Sequence, residues 1–263
     1  MRCTSGWSAR CAITFMRCDK PRVAGSEKQD PACVPHVSYV GRVLLFGPAI
    51  LLLLTVDAAA QRRVTFRAED GAMLTGAYYE PSQHPAPGIV LLHMLSRSHA
   101  DWDAVASELS DAGFAVVSLD YRGGGEVGAY ALDVKAAKAF LRERSDVIPG
   151  RIGLAGASIG ANLAVLDAAN DPGVLSIALL SPGIDYKGLR TEAAMKKFGA
   201  RPALLAGSTK DPYAARTIRH LTTIGPGLRE IRLTDAVAHG TMLLSRDPEL
   251  IPALVDWFKR TLL

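Results

Sequence analysis

A serine with glycines on both sides, Gly156-Ala157-Ser158-Ile159-Gly160, stands between a short apolar run, Arg151-Ile152-Gly153-Leu154-Ala155, and a helical stretch, Ala161-Asn162-Leu163-Ala164-Val165-Leu166. Strand, sharp turn and helix with serine at the apex is the local pattern of a nucleophile elbow. Small neighbours are required there because the apex backbone is strained and the flanking chain passes close by. The same turn aims the Ile159 amide, at the first turn of the helix, toward an oxyanion.

A serine hydroxyl needs a base within hydrogen-bond reach to act at neutral pH. Past residue 60 the histidines are His84, His93, His99, His220 and His239. His239 lies in Ala238-His239-Gly240, just beyond the last predicted strand and at the same sheet edge as Ser158, and is the expected base. His84 reads as a loop residue among prolines, His220 as a helix residue, and His93 as a buried residue that orients its loop. A carboxylate must hold the imidazole in one tautomer. Asp211, in Gly207-Ser208-Thr209-Lys210-Asp211-Pro212, falls between Ser158 and His239 in the chain and is the expected partner. Asp185 is its main rival and Asp235 a weaker one. An Asp before Pro is also a common helix cap, so a capping role for Asp211 stands beside the orienting one. A second oxyanion donor is expected in the loop after His93, from the amide of Met94 or Leu95.

These residues need a scaffold that gathers strand ends. Residues 64–68 and 74–79 around Asp70-Gly71 predict an opening hairpin. Residues 88–93 form a continuous apolar run, as expected of a buried parallel strand. Helical spacing of Trp102, Val105, Ala106 and Leu109 predicts a helix over 102–112, stopped by Gly113. Strands at 114–119, 175–180, 203–207 and 230–233 alternate with helices near 131–144, after Ser158, near 213–224 and at 248–262. The expected fold class is α/β, a mostly parallel twisted sheet with helices on both faces and an antiparallel N-terminal hairpin. Such sheets place their sites beyond the carboxyl ends of the strands. The excursion 181–200 is short, so the expected lid is minimal; Tyr186, Met195 and Phe198 are read either as one wall of the site or as core.

The first sixty residues differ in character. The run 43–56 is apolar and uncharged, Arg42 precedes it, and Ala58-Ala59-Ala60 before Gln61 fits a signal-peptidase site. At 14 residues it falls short of the roughly 20 of a spanning helix. Residues 1–60 are therefore expected to be a leader with a signal peptide, and 61–263 a single domain. The stretch 1–39 is long for an n-region, which leaves the true start open. Export to the periplasm or medium follows under this reading, and an anchored or cytoplasmic protein otherwise. Cys3, Cys11, Cys18 and Cys33 all precede the apolar run, so no disulfide or thiolate metal site is expected in the mature chain. Residues 61–263 hold 23 basic and 22 acidic residues, so the basicity of the whole lies mostly in the leader and argues for no nucleic-acid partner. No stable membrane span is expected in the mature part, no cofactor or metal is implied, and the oligomeric state is not encoded legibly.

From residue 64 onward the chain resembles an α/β-hydrolase, and is similar to the compact, lid-poor dienelactone-hydrolase-like and esterase group. The resemblance rests on Leu91-Leu92-His93-Met94, Asp120-Tyr121-Arg122-Gly123, Gly156-Ala157-Ser158-Ile159-Gly160, Asp211 and Ala238-His239-Gly240. Many members have His-Gly where this chain has His93-Met94, and dienelactone hydrolases proper use cysteine where it has Ser158. The resemblance implies a serine hydrolase acting on a small-molecule ester, with Ser158, His239 and Asp211 as triad and the Ile159 and Met94 amides as oxyanion hole. Amide or peptide hydrolysis on the same fold, and a non-catalytic scaffold, are the alternatives.

Overall fold

The computed structural model describes residues 61–124 and 126–263; the leader, its cysteines and its apolar run lie outside the described residues. In chain order the strands are β1 (Gln61–Arg67), β2 (Met73–Tyr79), β3 (Ala86–Leu92), β4 (Ala115–Asp120), β5 (Val147–Ala157), β6 (Val174–Leu180), β7 (Asp185–Tyr186), β8 (Leu189–Arg190), β9 (Ala203–Ser208) and β10 (Arg229–Thr234). The α-helices are α1 (Asp103–Asp111), α2 (Val127–Arg142), α3 (Ile159–Asn170), α4 (Thr191–Phe198), α5 (Pro212–Leu221), α6 (Leu243–Arg246) and α7 (Leu250–Leu262).

Eight strands form one sheet in the order β1-β2-β4-β3-β5-β6-β9-β10. The predicted hairpin is the antiparallel β1–β2 pair, and β2 also runs antiparallel to β4. From β4 through β10 every pairing is parallel. The carboxyl ends of β3, β5, β6, β9 and β10 therefore share one edge.

Period-2 alternation explains the two-sided packing. Along β3, Val90 and Leu92 enter one core with Val134 of α2 and Leu163 of α3. Ile89 and Leu91 enter the other with Val105 and Leu109 of α1 and Leu254 and Trp257 of α7. Each such side chain contributes about 1.5–3 kcal/mol by leaving water. Gly113 at φ +94° ends α1 with a Schellman arrangement: the Phe114 amide donates to Leu109 O at 3.0 Å, and the Gly113 amide to Ser110 O at 2.9 Å. The helix expected over 102–112 begins instead as a 3₁₀ turn, His99–Trp102, and α2 starts four residues ahead of the predicted 131. The short α6 had no periodic signal, since four residues make barely one turn.

Candidate active site

Ser158 sits at φ 54°, ψ −116°, between the end of β5 and the first residue of α3. Two glycines permit that turn. A Cβ on Gly156 would stand 2.1 Å from the Gly160 carbonyl oxygen, and one on Gly160 2.3 Å from that of Leu92. Any larger residue would push the helix off the sheet. The elbow is further held by the Ser158 amide, which donates to Leu180 O at 2.8 Å in the neighbouring strand.

His239 follows β10 in a short loop. Its Nε2 lies 2.9 Å from Ser158 Oγ, and its Nδ1 lies 2.5 Å from Asp211 Oδ2. With Nδ1–H donating to the carboxylate, Nε2 is the acceptor of the serine proton. Asp211 follows β9 and caps α5: its Oδ1 accepts the Ala214 amide at 3.1 Å, with Pro212 at the first helical position. Capping and orienting, alternatives in the sequence, coexist because the two carboxylate oxygens face different partners. Asp185 is elsewhere engaged: its Oδ1 accepts the Gly188 amide at 2.9 Å and its Oδ2 pairs with Arg190 at 3.1 Å. Among the described residues, Asp235 is not a partner of His239.

The Ile159 amide opens α3, where no preceding turn supplies it a carbonyl. Met94 lies in the turn after β3, next to the Leu92 and His93 carbonyls that stand against Gly160 of the elbow. The turn is rigid: His93 Nδ1–H donates to Met94 O at 2.7 Å, the Arg97 amide donates to Met94 O at 3.3 Å, and Ser96 adopts φ 62°. His93 Nε2 accepts the Tyr121 amide at 3.3 Å, so both ring nitrogens serve the backbone. Burial pushes the His93 pKa down, in keeping with a neutral ring that fixes the loop. Met94 also packs against the His239 loop, where a Cβ on Gly240 would come within 2.6 Å of Met94 Sδ.

The excursion between β6 and β9 is short and pinned. Asn162, one turn beyond Ser158, accepts the Gly183 amide at 2.9 Å and donates to Leu189 O at 3.0 Å. Tyr213, on the first turn of α5, donates its hydroxyl to Asp185 O at 3.1 Å. Of the two readings of the excursion's apolar residues, Met195 and Phe198 take the core one, fully buried beneath α4 because the apolar face of that helix turns inward; Tyr186 packs partly buried against the same core. Asn162 and Tyr213 escaped the sequence reading, although a lone amide in an otherwise apolar helical run was a usable signal for Asn162. The site is open to water: the His239 side chain is 45% exposed and that of Asp211 19%. Among the described residues no helix is long and apolar enough to cross a membrane.

No family model matches the chain. An uncharacterized protein of Mycobacterium tuberculosis is 33% identical over 130 residues, 47% of this chain and 46% of that protein. The uncharacterized protein YfhR of Escherichia coli is 33% identical over 143 residues, 49% of this chain and 50% of its own length. The chain thus spans about half the length of the curated relatives it matches. Among solved structures, a dienelactone hydrolase from Anabaena variabilis superposes with a TM-score of 0.65 at 18% identity, covering 78% of this chain and 100% of that one. An esterase of Pyrococcus furiosus gives 0.64 at 19% identity over 77% of this chain and 93% of that one. The thermostable carboxylesterase EstE1 from a metagenomic library gives 0.65 at 19% identity over 78% of this chain and 90% of that one. The fold is the α/β-hydrolase fold.

Proposed function

We propose that this chain, an α/β-hydrolase by fold, is a serine hydrolase that cleaves a small carboxylic ester through an acyl-enzyme. The observation that carries the reading is His239, with one ring nitrogen 2.9 Å from Ser158 Oγ and the other 2.5 Å from Asp211. In this mechanism Ser158 Oγ attacks the ester carbonyl carbon while His239 Nε2 takes its proton. The carbonyl oxygen becomes an oxyanion facing the amides of Ile159 and Met94. Each donor of this kind is typically worth about 10²–10³ in rate. Collapse of the intermediate breaks the bond to the alcohol, which leaves with the proton from His239. Water then repeats the sequence on the acyl-serine, releasing the acid and restoring Ser158. Asp211 holds the imidazole with Nδ1 protonated and stabilises the imidazolium in each half.

The pinned, lid-poor excursion and the solvent-open histidine favour small, accessible esters over a deeply enclosed acyl chain. The hydrolase and esterase neighbours support the same chemistry on the same fold. Hydrolysis of p-nitrophenyl acetate, butyrate and octanoate, with labelling of Ser158 by a fluorophosphonate, is the test. Turnover that declines with acyl length, with the label on Ser158, is the expected result. Labelling without ester turnover would move the assignment to an amidase, and absence of both to a non-catalytic scaffold. Export belongs to the same proposal, with 1–60 removed as a leader. N-terminal sequencing of the secreted or periplasmic product is expected to begin at Gln61.

A further inference from the structure

Four non-glycine residues among those described adopt left-handed φ: Ser96, Ser158, Ser181 and Lys187. Ser158 is the elbow, Ser96 turns the Met94 loop, and Lys187 turns the β7–β8 hairpin. Ser181 has no such local excuse. It sits immediately after β6 at φ 49°, is 2% exposed, and its amide donates to Ala206 O at 2.8 Å. A glycine would occupy that backbone without steric cost. A serine stands in a conformation that disfavours it, so its hydroxyl is the place to look for a reason.

That hydroxyl faces the base. Ser181 Oγ accepts the Gly240 amide at 3.0 Å in a buried hydrogen bond. Gly240 directly follows His239, and the carbonyl on the other side of the same peptide unit, His239 O, accepts the Met242 amide at 3.2 Å. The peptide plane after His239 is therefore gripped at both its N–H and its C=O. Fixing that plane anchors the His239 Cα, and with the residue at φ −136°, ψ 140° it sets the point from which the imidazole reaches toward Ser158. The loop is tied elsewhere by Ser208 Oγ donating to Ala236 O, the Ala236 amide donating to Thr234 Oγ1 at 3.3 Å and Thr241 Oγ1 donating to Asp101, while Val237 is 79% exposed; of these bonds none touches the His239–Gly240 peptide unit.

We propose that Ser181 is a positioning residue for His239, acting through the His239–Gly240 peptide unit and holding the imidazole in register with Ser158. The inference rests on the triad reading above. Ser181 touches no reacting atom. It supplies the acceptor that a glycine, otherwise better suited to this backbone, lacks.

Ser181→Gly separates the two demands on this position. Removing the hydroxyl relieves the backbone but leaves the buried Gly240 amide without its acceptor, so the two effects offset and the melting temperature is expected to stay within about 4 °C of the parent. The same variant is expected to lower kcat on p-nitrophenyl acetate by about 10–100-fold, with KM within about twofold, since small misplacements of catalytic groups carry losses of that order. Ser181→Ala, which keeps the strain and loses the acceptor, is expected to lose the same kcat and to melt lower than Ser181→Gly. A kcat for Ser181→Gly within about twofold of the parent overturns the proposal, as does a loss confined to KM. So does a fall in kcat that merely tracks a fall in melting temperature across the two variants. Ser158→Ala in the same assay keeps the readings distinct. If it abolishes turnover while Ser181→Gly is fully active, the triad stands and the positioning role falls. If Ser158→Ala keeps turnover, the triad reading falls and takes this inference with it.

Discussion

Two clusters of ionisable side chains in this molecule use similar groups in opposite ways. At the carboxyl edge of the sheet, Asp211, His239 and Ser158 form a chain whose last member faces water. Between α2 and α3, Lys138 Nζ lies 2.6 Å from Asp167 and 2.5 Å from Asp171, and Arg142 pairs with Asp171 at 2.9 Å. Arg201 closes the end of α3 from outside, donating to the carbonyls of Ala168, Asp171 and Val174. The Lys138 and Asp167 side chains are 5% and 8% exposed, against 45% for His239. In the inner cluster burial pushes the Asp167 carboxyl above its usual range. Burial acts in the same sense on Asp171, but Arg142 and Lys138 outweigh it and hold that carboxyl well below the usual range. Perturbed acidity is a common pointer to active sites. Here it marks a cluster whose cations and carboxylates are paired with one another, with no nucleophile among them. What distinguishes the outer cluster is geometry: a strained serine and a histidine reached from both sides whose side chain is 45% exposed to water.

The comparison predicts that damage to each cluster appears in a different assay. Ser158→Ala should have the largest effect, a fall in kcat/KM of about 10⁴–10⁶ with the melting temperature nearly unchanged. A loss under tenfold on p-nitrophenyl acetate would remove the outer cluster from the chemistry. Asp211→Asn comes next. It keeps an oxygen to cap α5 but turns an amide toward His239 and favours the wrong tautomer. The expected loss in kcat/KM is about 10³–10⁴, with stability preserved. Asp211→Ala should add about 0.5–2 kcal/mol of destabilisation from the missing cap. Denaturant melts of the two variants therefore split the two roles of one carboxylate, and equal stability would show that Oδ1 contributes nothing to the helix.

How much of this was legible in the sequence follows from range. The continuous apolar runs and the helical spacing fix the strands and most helices, because burial on both sheet faces leaves a pattern within a few residues. The chain order of Ser158, Asp211 and His239 at successive strand ends was visible for the same reason. Their distances depend on the β5-β6-β9-β10 order, which no local pattern writes. Ser181 was invisible because its φ is imposed by Ala206 and Gly240, 25 and 59 residues away. Whether Met195 and Phe198 wall the site or fill the core is not legible locally, because an excursion at the sheet edge has no periodic signal to say which side is in. The ionic cluster was unreadable too, since Lys138, Asp167 and Asp171 look like ordinary surface charges until α2 and α3 are packed.

Breaking the inner cluster should leave catalysis intact and lower stability. Lys138→Met leaves Asp167, 8% exposed, without the ammonium 2.6 Å from it, and loss of one partner of a buried pair typically costs about 3–5 kcal/mol. Turnover by the folded protein should be unchanged, and a tenfold loss would mean that the two regions are coupled. The pH dependence has a definite sign. Without Lys138, Asp167 is raised further above its unfolded value, so the folded state binds a proton more tightly than the unfolded one. The deficit should be full above the folded pKa and should shrink as pH falls from there toward about 3.9. A deficit that grows on acidification would contradict the assignment of Asp167 as the stranded charge.

The smallest expected effect is the sharpest test of the contrast. Lys138→Met with Asp167→Leu removes both charges of the buried pair and leaves Asp171 with Arg142. Apolar groups of similar volume often replace buried ion pairs without loss, because two desolvation costs disappear together. The double variant should therefore return to within about 1 kcal/mol of the parent at neutral pH and lose the acid-side recovery of Lys138→Met. A double variant as unstable as the single one would mean that the Lys138–Asp171 contact, not relief of Asp167, carries the stability of this region. The outer cluster offers no analogous repair. Under the proposed mechanism, removing His239 along with Ser158 should restore nothing, since what is lost is a proton path and a nucleophile, and hydrocarbon packing supplies neither.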